Sequence, residues 1–252
     1  MDIQITEHVK LKLSLVIQLI DDFSDTIVRE PSVLIRTEDG IRPIRKKEGY
    51  YVFLNLQQPT AVVHITSPQF QETWETIDLC SLNSLHPMIK IRLKPGENYR
   101  FPRETTYVVG SATPGSILRI MSEEMTDCYR LLKEYEGGES ICIFNPTKSD
   151  IEGKDFCIVD TKKKTKEIFH VMCQLSSEEE RYSIRKELTN EYQKVSTKIY
   201  PLILLKVGED GNFFTPIPFI NKNEPVCQIQ VQGEEREHRI ELTYGCRNTV
   251  VI

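Results

Sequence analysis

The stretch Lys46-Lys47-Glu48-Gly49-Tyr50-Tyr51-Val52-Phe53-Leu54-Asn55-Leu56 combines a charged tip, a glycine and a run of aromatic and aliphatic residues that ends at a polar stop. Gly49 can take a positive φ, and Tyr51 and Phe53 have the bulk that suits a half-buried pleated surface. The stretch therefore predicts a turn that begins a core strand. Glu209-Asp210-Gly211-Asn212-Phe213-Phe214 repeats the order of acid, glycine and paired aromatics, which indicates two related β modules.

Short runs of alternating apolar and polar residues surround this stretch. They cover residues 9–20, 33–37, 61–66 and 88–93, and turn-forming residues separate them. A period of two indicates strands, and no helical pattern long enough for a crossover lies between them. We therefore expect antiparallel β-sandwiches, with residues 67–87, which include Trp74, as a longer connection.

Residues 13–70 resemble the carboxypeptidase regulatory-like, or transthyretin-like (prealbumin-like), family of small β-sandwiches. The first strand and its acidic end match Leu15 to Asp22, the glycine-aromatic-x-aromatic signature matches Gly49 to Leu56, and the next strand matches Val62 to Ile65. Gln57-Gln58-Pro59 replaces the usual glycine after the signature, and Gln69-Phe70 stands at the usual Gly-Tyr. The resemblance implies an accessory or adhesive sandwich without peptidase activity.

Breaking residues are concentrated in Lys94-Pro95-Gly96-Glu97-Asn98-Tyr99-Arg100-Phe101-Pro102. This composition predicts a boundary between a first sandwich, residues 1–98, and a second, residues 99–252. Tyr99 and Phe101 are costly to leave in water, so we expect them to pack against one of the sandwiches and to help fix the orientation of the two domains.

The second half also contains a pattern typical of a helix. Ser176 or Ser177 precedes Glu179 or Glu180 by three residues, as in a capping box, and Ile184, Leu188, Tyr192 and Val195 follow at helical spacing. We therefore predict a surface helix inserted in the second sandwich around residues 176–194. For residues 128–135 the pattern fits a helix face or a hairpin equally well.

Composition and charge exclude several classes of protein. The 252 residues carry a net charge of -5, with 32 basic and 37 acidic residues intermixed, so we expect no nucleic-acid partner. Residues 1–8 lack the pattern of a secretory signal, and the apolar runs are too short to span a bilayer. The seven scattered cysteines are typical of buried apolar positions in a reducing compartment, which predicts a cytoplasmic protein.

A search for catalytic and cofactor motifs finds none. The five histidines lie in unrelated contexts, and there is no His-Glu-x-x-His, Cys-x-x-Cys, phosphate-binding loop or nucleophile elbow. We therefore expect no enzyme activity, no metal centre and no cofactor.

Three weaker features remain as candidate sites. Asp21, Asp22 and Asp25 could hold a calcium ion, although acids commonly end strands. Lys162, Lys163 and Lys164, with nearby Lys166, could bind an acidic partner, although a solvated loop tip is the simpler explanation for them. Tyr50 must face away from the core if Tyr51 and Phe53 face into it, which makes it a candidate contact residue.

Two classes of function follow. The first is a non-enzymatic structural or adaptor protein whose sandwiches mediate protein–protein contacts in a larger intracellular assembly, such as a phage-tail-like particle. The second is a small-ligand or carbohydrate-binding module, or a divergent enzyme, in which aromatic residues stack on the ligand. Fold class alone does not separate the two.

Overall fold

A computed structural model describes residues 11–125, 128–145, 150–176 and 178–252. The chain divides into two compact units, Met1–Tyr99 and Arg100–Ile252. The described residues form nineteen β-strands and no helix. None of them therefore belongs to a helix that could cross a membrane.

The first unit is a sandwich of two sheets. Its seven strands are β1 (Leu13–Asp21), β2 (Leu34–Thr37), β3 (Ile44–Arg45), β4 (Tyr50–Leu54), β5 (Thr60–Thr66), β6 (Thr73–Asp78) and β7 (Met88–Leu93). One sheet has the order β3-β4-β1-β7 and the other the order β2-β5-β6. All neighbours are antiparallel except β1 and β7, which run parallel, so the expected fully antiparallel arrangement is wrong at this pair.

Alternation along the strands places the core between the two sheets. Leu15, Ile17 and Leu19 of β1 and Tyr51 and Phe53 of β4 are buried against inward residues of the opposite sheet. Unbroken alternation over residues 9–20 would put Leu11 and Leu13 on the same side as Leu15, yet both are exposed. A β-bulge between Leu13 and Leu15 shifts the register there and explains the difference. Val9, which the same alternation puts on that side, lies outside the described residues.

In the second unit, the residues that the structure describes form twelve strands. They are β8 (Tyr107–Ser111), β9 (Ile117–Met121), β10 (Arg130–Leu131), β11 (Ile141–Asn145), β12 (Asp155–Asp160), β13 (Thr165–Ser176), β14 (Arg181–Ile184), β15 (Thr197–Lys206), β16 (Asn212–Pro216), β17 (Val226–Val231), β18 (Glu237–Glu241) and β19 (Arg247–Val251). A nine-stranded sheet runs β10-β11-β14-β13-β12-β15-β9-β17-β18, and a smaller sheet runs β16-β8-β19.

The two units contain the same strand arrangement. In each, the first strand lies between an antiparallel strand that follows a positive-φ glycine and the parallel last strand: β4-β1-β7 after Gly49, and β16-β8-β19 after Gly211. The facing sheets correspond too, because β2-β5-β6 and β9-β17-β18 have the same order and the same antiparallel pairing. The sequence echo between the two glycine-aromatic stretches therefore marks equivalent strands.

The second sandwich contains an insertion between its second strand and its glycine-launched strand. Strands β10, β11, β14, β13, β12 and β15 form a curved sheet that closes on itself, because Tyr129 and Ile199 exchange two backbone hydrogen bonds of 2.9 Å. Aromatic rings fill the resulting barrel, with Phe144 and Phe156 5.7 Å apart and Tyr129 5.4 Å from Phe156. The first half of β15 belongs to this barrel and the second half pairs with β9 in the sandwich.

The predicted surface helix around residues 176–194 is wrong. Ser176 Oγ does accept a hydrogen bond from the backbone N–H of Glu179, as a helix cap would, but Glu180 takes a φ of 49° and the turn leads into β14. Ile184, Leu188 and Tyr192 are buried, as predicted for an apolar face, whereas Val195 is 87% exposed. The capping signal therefore closes a β-hairpin, and barrel pairing outweighs the local helical pattern.

Glu167 holds the segment that follows β14 in place of helical hydrogen bonds. Its carboxylate accepts the backbone N–H groups of Thr189 (2.8 Å) and Asn190 (2.9 Å), the side-chain amide of Asn190, and the hydroxyl of Tyr192 (3.0 Å). Burial opposes ionisation, but these hydrogen bonds outweigh it and lower the pKa of Glu167. One carboxylate thus satisfies the backbone donors of Thr189 and Asn190, which lie outside the strands.

Three further expectations have clear outcomes. Residues 130–131 form β10, which pairs with β11, so the open segment 128–135 belongs to a strand and its loop. Among the seven free cysteines, Cys80, Cys173 and Cys246 are exposed, so burial does not hold for all of them. Tyr99 packs on Phe23 and Phe70 in the first unit, whereas Phe101 packs on Tyr107 and Phe214 in the second.

We predict that Glu167→Gln lowers the free energy of unfolding by about 1–3 kcal/mol at pH 7, because an amide cannot accept all four hydrogen bonds. A lowered folded-state pKa stabilises the fold above the ordinary pKa of 4.5 and loses that effect as the pH falls below it. The difference in free energy of unfolding between wild type and variant, measured with urea, should therefore stay constant from pH 7 to about pH 5.5. It should shrink below about pH 4.5.

Glu178→Gln is the matched control, because Glu178 is exposed on the neighbouring turn. It should change stability by less than about 0.5 kcal/mol. Equal effects of the two substitutions would contradict the role assigned to Glu167.

Candidate functional site

The outward face of the β3-β4-β1-β7 sheet carries an apolar row that crosses all four strands. Ile44 lies opposite Val52, Val52 opposite Val16, and Val16 opposite Met88. The two end residues, Ile44 and Met88, are each 49% exposed. Leu13 and Leu54 form a neighbouring apolar pair on the same face. We call Val16, Ile44, Val52 and Met88 the apolar row.

Tyr50 borders the apolar row. It lies opposite Gln18, two residues from Val52, and is half-buried, while Tyr51 and Phe53 point into the core. The structure therefore places Tyr50 on the outward face, as strand parity predicts. Its role as a contact residue stays a prediction.

Arg45 fixes the short edge strand that presents Ile44. Its guanidinium lies 5.7 Å from the centroid of the Tyr51 ring, and its Nη2 donates a hydrogen bond of 2.6 Å to the carbonyl of Arg29. Burial raises the pKa of Tyr51, with a smaller opposing effect from Arg45. Because β3 is only two residues long, these contacts add to its pairing with β4 in positioning Ile44.

The predicted lysine cluster lies in the second unit, at the turn between β12 and β13. Asp160 shapes this turn by accepting the backbone N–H groups of Lys162 (2.8 Å) and Lys163 (2.9 Å), and the bond from Lys163 is the main cause of the lowered pKa of Asp160. Lys162, Lys163 and Lys164 are exposed. Lys166 faces elsewhere and pairs with Glu123 and Glu237. Tyr50 and the lysines thus belong to different units.

The acids at the end of β1 have structural partners. Asp21 accepts hydrogen bonds from the backbone and hydroxyl of Ser24 and from the hydroxyl of Tyr99. Burial, followed by the hydrogen bond to Asp21, raises the pKa of Tyr99 to about 12. Arg92 lies 2.7 Å from Asp25 and 3.7 Å from Asp22. Within the described ranges, no group of three or more His, Cys, Asp or Glu side chains could hold a metal ion.

One feature of the opposite sheet was missed from the sequence. Trp74 of β6 is 55% exposed and stacks on His64 of β5, with ring centroids 3.9 Å apart and planes 13° apart. Arg36 Nε donates to His64 Nδ1 at 3.4 Å, and because arginine only donates, the His64 proton lies on Nε2 and is donated to Glu72. The pair is therefore held rigidly, with part of the Trp74 ring open to solvent.

Comparisons with known proteins give little guidance. No family model and no curated protein sequence matches the chain. Among solved structures, the shaft pilin SpaA from Lactobacillus rhamnosus GG aligns over 96% of this chain and 97% of its own, at 7% identity and a TM-score of 0.24. A single-residue mutant of that pilin aligns over 95% and 96%, at 7% identity and a TM-score of 0.23. Likeness at this level assigns no family and no function.

We predict that Gly49→Ala, in the turn that presents Tyr50 and Val52, lowers the free energy of unfolding by about 2–4 kcal/mol. Gly49 has a φ of +88°, and an added Cβ would lie 2.7 Å from Cγ2 of Ile27, a stiff β-branched side chain. Gly40→Ala is the control, because its φ is +84° and nothing lies within 4 Å of its Cβ position. It should cost only about 1 kcal/mol in the same urea unfolding experiment, and equal costs would exclude the contact with Ile27 as the cause.

Proposed function

We propose that this chain is a non-enzymatic adaptor whose first sandwich contacts a protein partner through its outward face. The observation that carries the proposal is the apolar row, in which exposed Ile44 and Met88 continue a stripe through Val52 and Val16. A surface sheet normally presents polar residues to water, and a continuous apolar stripe on such a sheet marks an interaction surface. The partner belongs to a larger intracellular assembly, of which a phage-tail-like particle is one example.

The family proposed for residues 13–70 agrees with this function. We propose that they form a carboxypeptidase regulatory-like, or transthyretin-like, sandwich. In support, the strand that ends in acids and the glycine-launched aromatic strand are neighbours in one sheet, while the Val-rich strand Thr60–Thr66 lies in the facing sheet. Such a sandwich is an accessory or adhesive module, so the contact surface and not a catalytic centre carries the function.

The composition of the outward face indicates the chemistry of the partner. The apolar row is bordered on one side by Tyr50 and Gln18, with Lys90 opposite Gln18 on β7. Interfaces commonly place apolar and aromatic side chains at the centre and polar ones at the rim. We therefore propose a partner surface with aliphatic or aromatic anchors that cover Val52 and acceptor groups that meet the polar border.

We predict that Ile44→Glu and Met88→Glu each reduce recovery of the partner at least tenfold in affinity purification of the full chain from cells that express it naturally. A charge placed within an apolar contact costs the complex about 1.4 kcal/mol or more, which corresponds to that factor. Both residues are about half exposed, so the thermal midpoint should stay within about 3 °C of wild type.

Leu34→Glu is the matched control, because Leu34 is an exposed aliphatic residue on β2 of the opposite sheet. It should leave recovery unchanged. A chain that sediments as a monomer in native extracts, or variants that keep the partner, would remove the proposal.

A small-ligand or carbohydrate-binding module is the second candidate, and Trp74 favours it. A flat, partly exposed aromatic ring with Arg36 and Glu72 close to its stacking partner His64 offers a stacking surface beside hydrogen-bonding groups. Rings of this kind bind the apolar faces of sugars. If the chain binds a small ligand, we propose that the site lies at Trp74 in the first unit.

Trp74 is the only tryptophan, so its fluorescence reports on this place alone. If the second candidate is correct, a member of a sugar and metabolite panel should shift the emission in a saturable way and raise the thermal midpoint. Trp74→Ala should abolish the thermal shift, whereas Tyr50→Ala should keep it. A panel without any saturable change would exclude ligand binding at Trp74.

A further inference from the structure

A charged cleft of about 280 Å³ lies in the second unit, between the barrel insertion and the sandwich. One wall is the outward side of β9 and β17, with Arg119, Met121 and Gln230. The other wall is the outward side of the barrel, with Cys157 and Ile168, which lie opposite each other on β12 and β13. The volume is at the lower end of the range for small-molecule sites.

The floor of the cleft is apolar, and its thiol is not ionised. Met121, Cys157 and Leu202 are buried and belong to one packed cluster, with Ile168 against it. Burial raises the pKa of Cys157 to about 12, so its thiol stays protonated near neutral pH and contributes an apolar surface. A ligand here would meet a hydrophobic floor beneath a charged rim.

Three of the six charged residues that line the cleft, Lys166, Glu167 and Glu237, already have partners. Lys166 Nζ lies 2.7 Å from Glu123 and 3.1 Å from Glu237, and these bonds raise its pKa against the effect of burial. The carboxylate of Glu167 is occupied by the loop at residues 189–192. These groups shape the cleft, but they have little free capacity to bind a ligand.

Arg119 differs from these groups, and it also differs from Lys186 and Glu187 of the lining, whose side chains are exposed. Its Nε is buried without a hydrogen-bond partner, and its guanidinium makes no hydrogen bond or ion pair with the described residues. Leaving such a donor unsatisfied costs about 1–3 kcal/mol. Its two Nη groups form a fork that matches the two oxygens of a carboxylate. The cleft therefore contains a donor pair of defined shape above an apolar floor.

We infer that this cleft binds a small organic monocarboxylate, with its carboxylate on Arg119 and its apolar body on Met121, Cys157 and Leu202. Glu187 and Glu237 also line the cleft, and their charges disfavour a dianion such as a phosphate ester. With Lys166 and Lys186, the lining carries three cations against three carboxylates, and this balance favours one added negative charge over two. The ligand class follows from one free fork, a mixed rim and a small apolar floor.

The test uses the full chain labelled with ¹³C at the methionine methyl groups. Benzoate, phenylacetate, hexanoate and isovalerate are titrated, with benzamide, hexanamide and inorganic phosphate as comparators. We expect at least one of the acids to shift the Met121 methyl resonance in a saturable manner, while Met88 and Met172, which are exposed elsewhere, stay unchanged. The matching amide and phosphate should bind at least tenfold more weakly.

Arg119→Lys should weaken binding of the acid at least tenfold, because lysine lacks the fork. Arg119→Met should abolish binding. Arg239→Lys is the control, since Arg239 pairs with Glu124 outside the cleft and its replacement should leave the affinity unchanged. Absence of saturable binding up to about 10 mM, equal binding of acid and amide, preference for phosphate, or wild-type affinity in Arg119→Lys would each overturn the inference. Because the cleft and the apolar row lie in different units, these results are independent of the adaptor proposal.

Discussion

The pairing of the first strand of each sandwich with its last strand is the constraint on which the rest of the structure depends. β1 pairs with β7, and β8 pairs with β19 so that Tyr107 lies beside Arg247. All residues between two such strands must fold so that the chain returns to its start. The second sandwich meets this condition despite its insertion, because β9, before the barrel, and β15, after it, are direct neighbours. An insertion whose ends already lie side by side adds little loop-closure cost, since each doubling of loop length costs only about 0.6 kcal/mol.

The sequence predicted where the strands lie along the chain better than it predicted which strands pair with each other. A period of two identified β1, β2, β5 and β7 because alternation is a local property of each strand. The parallel pairing of β1 with β7 and the barrel closure between Tyr129 and Ile199 join distant residues, and no local pattern specifies them. The incorrect helix has a related origin, because the capping signal at Ser176 and the burial of Leu188 and Tyr192 are real but serve a hairpin and a barrel wall.

The candidate sites show the same limit. Strand parity alone placed Tyr50 on the outward face, but Ile44 and Met88 join the apolar row only through a register across four strands. Trp74 was predicted in a connection because β6 is an edge strand whose residues are mostly polar, which removes the apolar alternation that signals a strand. Arg119 stands out only when the barrel wall and the sandwich wall are both in place, since its distinction is the lack of a partner.

One equivalent position has different surroundings in the two sandwiches. This difference explains why the outward face of the first sandwich is the better candidate for a contact surface. Val52 and Phe214 both lie three residues after the glycine, and they pair with Val16 and Val109 on the first strand of their unit. In the second unit the chain covers Phe214 itself, with the ring of Phe101 at 5.7 Å and that of Tyr107 at 5.6 Å. In the first unit the same position continues into half-exposed Ile44 and Met88. Burying apolar surface stabilises by about 25 cal/mol per Å². Phe101 supplies such burial at Phe214, whereas Ile44 and Met88 on the first sandwich stay half-exposed.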